Sequence, residues 1–355
     1  MFKNTSLGAK IGIGFGTIIA IAMLLGGVAI WSMNNVNRVA TVMKDQNVPS
    51  VQVANDVERM SLKTMYATRG YAYTEEEQFL KEARENLAKV KEHLQKATEL
   101  AAAQEIDWLT KNVQQATQYA TEYERLLEDT VKQNEIMAQQ KKASLEAADK
   151  YMAVAYDFLK SQNERLSEVI EQVRAGGGGA SGNADLAAQL EDRVKKVNLS
   201  NDIIDLGNAI RIGTWMSIAN RDPQLFQETE RKFDDVNKKL DELKAITKLQ
   251  VNLDQIEACR AAGSAYLKCM QDFLTAWFAR EDLNKRRTET ANKVLEAAQS
   301  TAMTGVKNTS DGAIEATRAL AVATWTLIIG LGVALVLSIT LALVIARSIT
   351  GPISR

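Results

Sequence analysis

The chain has one histidine, His93, and two cysteines, Cys259 and Cys269, among its 355 residues. A single imidazole excludes His-rich metal sites and relay through several histidines. Two thiols exclude a Cys₄ zinc site and a disulfide framework. Prolines number three and aromatic residues make up 6%, too few for a breaker-rich β architecture. Charge of one sign is missing too: 43 basic and 44 acidic residues leave a net charge of -1, with no general pull toward nucleic acid. What the chain does have is long Ala/Glu/Lys/Leu/Gln tracts. The expectation is an all-α protein that binds rather than converts, with no cofactor, metal or catalytic residue.

Two uncharged runs set the layout. Ile11 to Met33 and Ala323 to Ala346 are each long enough to cross the ~30 Å hydrocarbon core as a helix. The first run exceeds the ~7–15 apolar residues of a cleaved signal peptide, and Trp31 follows as an interfacial residue. Lys3 and Lys10 precede the first span, and Arg347 and Arg355 follow the second. By the positive-inside rule both termini are expected in the cytoplasm and residues 34–322 outside, with Trp31 and Trp325 at the outer edge of their helices. Gly12, Gly16, Gly26 and Gly27 on the first span either let another helix approach closely or reflect the glycine enrichment of membrane helices in general.

Breakers divide residues 34–322 into six expected helices. The first runs from about Asn34 to Arg69 with a kink at Pro49, and Gly70 to Thr74 make a turn. Thr74 with Glu77 forms a capping box for the second, to about Leu100. The third keeps its apolar stripe from about Gln104 to Val173, where the run Ala175 to Gly182 breaks the chain. The fourth spans about Ala184 to Ile218, and Asp222 and Pro223 cap and open the fifth, which ends near Ile246. The sixth runs from about Val251 to the second span.

At 1.5 Å per residue the first two helices reach ~55 Å and ~40 Å, the third and sixth ~105 Å and ~110 Å. Two stacked four-helix bundles sharing the two long helices satisfy these lengths most simply. A weak internal repeat agrees, with Leu87, Val90, Leu94, Ala97 and Leu100 matching Phe233, Val236, Leu240, Leu243 and Ile246.

This layout resembles the helical bimodular (HBM) sensor domain of bacterial transmembrane receptors, found in methyl-accepting chemotaxis proteins and some sensor histidine kinases. The segment Leu7 to Phe15 is similar to the opening of many chemoreceptors, and Thr68 to Thr74, ahead of Phe79 and Leu80, to the first hairpin turn of related four-helix sensors. Arg347 to Ile353, with Pro352, resembles the entry to a HAMP linker. The resemblance implies a cytoplasmic N-terminus (1–10), a first transmembrane helix (11–33), a periplasmic ligand-binding domain (34–322), a second transmembrane helix (323–346) and the start of HAMP (347–355). It also implies a two-pass inner-membrane homodimer that senses small carboxylates and signals to a cytoplasmic module beyond Arg355. A sensor-kinase input domain read through a periplasmic binding protein, and an inert tether, are the alternatives.

The candidate ligand residues are polar groups on stripes that should face a bundle interior. Arg59, Leu62, Tyr66, Arg69 and Tyr73 recur at three and four, so they share one helix face. Arg287 and Thr290 are expected at the same height, with Tyr119 and Tyr123 near them. A buried arginine needs a partner: a small carboxylate matches its planar fork, and so do Glu58, Glu77 and Glu122 across the bundle. In the distal half, Arg211 and Trp215 share a stripe with Ile204, Asn208 and Ile218, facing Phe273 or Trp277, with Arg280 farther along helix six. This pair either clamps a second small anion or packs as a cation–π stack. His93 is expected on an exposed face. The cysteines, ~15 Å apart along one helix, are expected as free thiols.

Overall fold

The computed structural model describes residues 6–176 and 180–353. Lys3, Arg355 and Gly177 to Gly179 of the glycine run lie outside the described residues. The protein is all-α, with no strand among those residues. The elements are α1 (Leu7–Val42), a π-helical turn (Met43–Asn47), α2 (Val48–Thr74), α3 (Glu77–Ala103), α4 (Asp107–Arg174), α5 (Ala180–Asn220), α6 (Pro223–Glu230), α7 (Lys232–Ala245) and α8 (Gln250–Ile353).

The disturbance expected at Pro49 is a π turn just ahead of it. The N–H of Val48 reaches back five residues to Met43 O. In a regular helix the proline ring would collide with the carbonyl four residues back, that of Asp45, and the wider turn relieves the collision. The first hairpin also departs from expectation. Gly70 to Thr74 are helical, and the reversal is made at Glu75, which adopts the left-handed conformation at φ 60°. The Thr74 hydroxyl donates to Gly70 O at 3.0 Å and accepts from the Glu76 N–H at 3.2 Å, so it serves this turn and makes no capping box with Glu77. The Asp222 cap is present: its Oδ1 accepts from the Gln224 and Leu225 N–H groups, both at 3.0 Å, with Pro223 opening α6.

The chain divides into two compact units. One holds residues up to Glu124 and from Thr288 on; the other is Arg125 to Arg287. Helices α4 and α8 therefore contribute to both. In the first unit, α2 and α3 pair with the opening of α4 and the later part of α8. The interior is lined by Ala54, Val57, Leu87, Val90, Leu109, Ala116, Ala291 and Val294. Small residues dominate because the helices approach closely: a Cβ on Gly70 would lie 2.7 Å from the Phe79 ring.

The same unit carries both apolar segments, whose large side chains face outward. Leu24 is 71% exposed and Leu331 62%, as expected of surfaces whose solvent is lipid rather than water. Both helices are long and apolar enough to cross a membrane. They meet where Gly14 accommodates Leu341 and Gly330 accommodates Leu25, and the Ser32 hydroxyl donates to Ala319 O at 3.0 Å. Gly12, Gly16, Gly26 and Gly27 have no neighbour close to their Cβ direction, so they are not the glycines that admit α8.

The second unit packs α4, α5, the α6–α7 pair and the first part of α8 around an aromatic core. Tyr151 is fully buried, its hydroxyl donating to Ile203 O at 3.2 Å. Its ring lies 6.2 Å from Phe233 and 6.5 Å from Tyr266. A second group stacks Phe226 on Phe273 at 5.5 Å, with Trp277 edge-on to both. Such edge and offset pairs favour one packing over its alternatives.

Candidate functional site

The α2 stripe faces the wrong way for the role expected of it. Arg59, Leu62, Tyr66, Arg69 and Tyr73 are all exposed, Tyr66 at 74%. Arg59 pairs within its own helix with Asp56, Nη2 to Oδ1 at 2.6 Å. The buried face of α2 is instead Ala54, Val57, Met60, Ser61, Thr64, Ala67, Thr68 and Tyr71. The tight α2–α3 spacing selects small side chains for the interior, which sends the bulky ones outward. Large size was the wrong signal on this helix. His93 likewise departs from expectation: it is half-buried, with Nδ1 3.8 Å from Asp56 Oδ2.

The other residues expected with that stripe are divided between the units. In the first, Tyr123 is buried and Thr290 half-buried. Tyr123 lines an apolar space with Ser61, Thr64, Leu87, Val90, Ala291 and Val294. Its free interior is ≈ 10 Å³, about one water's worth, and one water would satisfy the buried Ser61 hydroxyl. In the second, Arg287 is buried; its Nη1 donates to Thr130 Oγ1 at 2.9 Å and its Nη2 to Asn284 Oδ1 at 3.0 Å. The structure does not gather these residues into one pocket within either unit.

The second unit does hold a pocket. It is an open cleft with a free interior of ≈ 20 Å³, lined by Lys141, Ser144, Leu145 and Ala148 of α4, Arg211, Thr214, Trp215 and Ile218 of α5, Phe226 of α6, and Tyr266 and Phe273 of α8. Arg211, Trp215 and Phe273 come together here as their stripes predict. Trp277 does not line the cleft; it is buried in the aromatic core behind Phe273. Arg280, half-buried on α8, is not a lining residue either.

Each wall follows from helix periodicity. On α4, Met137, Lys141, Ser144, Ala148 and Tyr151 recur at four and three, so Lys141 occupies an otherwise inward stripe. On α5, Arg211, Thr214, Trp215 and Ile218 do the same. The two cations sit at the mouth. Lys141 Nζ lies 5.3 Å from the Trp215 ring centroid and pairs with no carboxylate among the described residues. Arg211 reaches Asp149 Oδ1 at 3.3 Å, and that carboxylate is 73% exposed. So exposed a pair contributes at most ~1 kcal/mol and leaves most of the guanidinium's five N–H donors for another partner.

Below the cations the walls turn apolar. Phe226, Tyr266 and Phe273 form a buried floor. Thr214 is committed to its own helix, donating to Ile210 O at 2.8 Å. Burial pushes the Tyr266 phenol up, against the opposing hydrogen bond to Thr214 and the Arg211 charge. It therefore stays neutral as a hydrogen-bonding group. The buried Ser144 makes no hydrogen bond of its own among the described residues. Two cations and a free hydroxyl at an open mouth suit a small anion such as a carboxylate. The sequence reading missed both Lys141 and Ser144: a lysine on an apolar stripe is the signal that would have found the first, and the Ser144 hydroxyl has no signal in the sequence.

Cys259 is buried and Cys269 half-buried, and both are free. Burial raises the Cys259 thiol to about 12, so neither its reactivity nor its position suggests a catalytic role.

No family model matches the chain, and no curated protein sequence matches it. Among solved structures, the TorS sensor domain, crystallised in complex with TorT in the presence of TMAO, gives a TM-score of 0.47 at 13% identity, covering 74% of this chain and 99% of that chain. At that score the likeness supports no statement about what this chain binds.

Proposed function

We propose that the chain is the sensor region of a two-pass membrane receptor and that the cleft of the second unit binds a small organic anion, a carboxylate in the simplest case. The observation that carries this reading is the pair Lys141 and Arg211. They stand on different helices at one mouth, and neither is held by a buried acid. An anion there draws α4 toward α5 across a floor supplied partly by α8. Helix α8 continues without a break from that floor to the apolar segment ending at Arg347. A signal results only if the anion binds two arrangements of these helices with different affinity.

The finer parts rest on the sequence resemblance: a periplasmic sensor, a homodimer, a HAMP linker after Arg347 and a chemotaxis output. A receptor fits these features better than an enzyme, since the mouth holds cations and no nucleophile–base pair. The exposed face of Leu62, Tyr66 and Tyr73 on α2 favours a protein contact for the first unit, with a second copy or with a periplasmic binding protein. The test is a thermal-shift screen of the full chain in detergent against organic acids. A ligand at a hundred times its Kd adds about 2.7 kcal/mol to stability. That rise should fall by about half or more in Arg211→Gln. Acids that leave wild type unmoved while a purified partner protein binds would put the sensing step outside this cleft.

A further inference from the structure

Resting on that reading of the cleft, we infer that Asp149 is a competitor built into the chain: an anion binds by taking the Arg211 guanidinium from this carboxylate, and the exchange is the switch of the second unit. Arg211 Nη2 lies 3.3 Å from Asp149 Oδ1, and no other ion pair or hydrogen bond holds it among the described residues. Asp149 follows Ala148, the last α4 residue of the lining, while Lys141 and Ser144 stand at the other end of that wall. Lys141 and Asp149 are eight residues apart, ~12 Å along the helix.

Arg211 stands between them. Helix α5 runs antiparallel to α4, and its Gly207 meets Tyr151 and Met152. Four residues on, the Arg211 backbone is level with about Ala147. On its Lys141 side lies the buried Ser144 hydroxyl. An anion there meets the ammonium, that hydroxyl and the guanidinium together, at the open mouth and without a deep pocket. The Tyr266 hydroxyl of α8 is a neutral witness to both charges. Burial raises this phenol above all; the Thr214 hydrogen bond and Arg211 lower it, and Asp149 raises it.

The donors that Asp149 leaves open on Arg211 do not lift the competition. A second carboxylate beside Asp149 would sit against a like charge, and one placed at Lys141 draws the guanidinium away. The exchange ties α5 to α4 near Asp149 in one arrangement and near Lys141 in the other, the two states of different affinity that a signal requires. An exposed pair shifts an equilibrium by no more than about fivefold (~1 kcal/mol). Loss of the Asp149 charge also removes its repulsion of the anion.

The test is calorimetric titration of the full chain in nanodiscs with acetate at fixed ionic strength. Asp149→Asn should bind it about three- to tenfold more tightly than wild type, and Arg211→Gln about tenfold more weakly. Glu146→Gln is the charge control: this side chain is 70% exposed on the same helix, reaches Lys142 at 3.9 Å and does not line the cleft. It should move the affinity by about twofold at most. Should Arg211→Gln lose its helical signal, Lys141→Gln makes the same comparison from the other side of the mouth. An Asp149→Asn effect no larger than that of Glu146→Gln, beside a loss in Arg211→Gln, overturns the switch and leaves the anion reading standing. Acetate that binds neither folded wild type nor Asp149→Asn, or binds regardless of both cation substitutions, overturns the anion reading and this inference together.

Discussion

Tyr151 is gripped between two glycines, and the grip sets a quantitative expectation. A Cβ on Gly207 of α5 would lie 2.6 Å from Tyr151 Cε1 and 2.7 Å from Met152 Sδ. A Cβ on Gly263 of α8 would lie 3.4 Å from Cε2 on the ring's other edge. Both are helix-interior positions, so Gly→Ala gains the same intrinsic ~1 kcal/mol at each. The steric terms differ. At Gly263 the methyl makes a near-ordinary contact, and the net effect is a stabilisation of ~0.5–1 kcal/mol.

At Gly207 the ring must retreat by about 1 Å to restore carbon contact distance. It is fully buried between Phe233 and Tyr266, and its hydroxyl is held by Ile203 O at 3.2 Å. Overpacking costs ~1–3 kcal/mol and a weakened buried hydrogen bond ~1 kcal/mol more. After the helix gain, Gly207→Ala loses roughly 1–3 kcal/mol. A unit of this size shifts its Tm by about 2–4 °C per kcal/mol. Thermal unfolding followed by far-ultraviolet circular dichroism should therefore show Gly263→Ala melting a few degrees above wild type and Gly207→Ala several degrees below. Equal Tm values for the two variants would refute the clamped ring.

Further outcomes follow from the same packing. Asp222→Ala removes the acceptor of two N–H groups at the start of α6 and should cost ~1 kcal/mol, read as a lower denaturant midpoint with unchanged slope. Cys269 should react with a thiol reagent at pH 8 well before Cys259, whose burial raises it to about 12; simultaneous labelling of the folded protein would contradict this. Glu230 has a buried Oε1 without a hydrogen bond among the described residues, and burial raises its carboxyl above the ordinary value. The folded state therefore holds that proton more tightly than the unfolded one, so this group's contribution is full below the unfolded carboxylate range near 4.3. It is lost as pH rises through the folded value. Glu230→Gln should accordingly stabilise the protein at pH 7 and make little difference at pH 4, measured as paired Tm values.

The fold was legible where breakers are chemically unambiguous. Asp222 followed by Pro223 marked α6, and the uncharged runs after Lys10 and before Arg347 marked the segments able to cross a membrane. Arg211 and Trp215 could be placed in a cleft because polar and aromatic residues interrupt an apolar stripe at helical spacing. The α2 face was misread because its interior is built from Ala54, Ser61, Thr64 and Ala67, and close helix approach prizes small volume over hydrophobicity. Gly70 read as a breaker for a similar reason. It is there to admit Phe79, and the reversal falls at Glu75, where no residue type announces a left-handed conformation. The gathering of Ser144, Thr214 and Tyr266 depends on the register among α4, α5 and α8, which no single helix encodes.

The most direct measurement of the central claim uses Trp215 as its own reporter. The full chain is titrated with acetate while tryptophan emission is followed, alongside Trp215→Phe. An anion seated between Lys141 and Arg211 displaces the ammonium now 5.3 Å from the Trp215 ring centroid. Wild type should show a saturable change in emission, and Trp215→Phe should lose it while calorimetry still detects binding. An emission change that survives Trp215→Phe intact would place the ligand elsewhere in the protein and contradict the site assigned here.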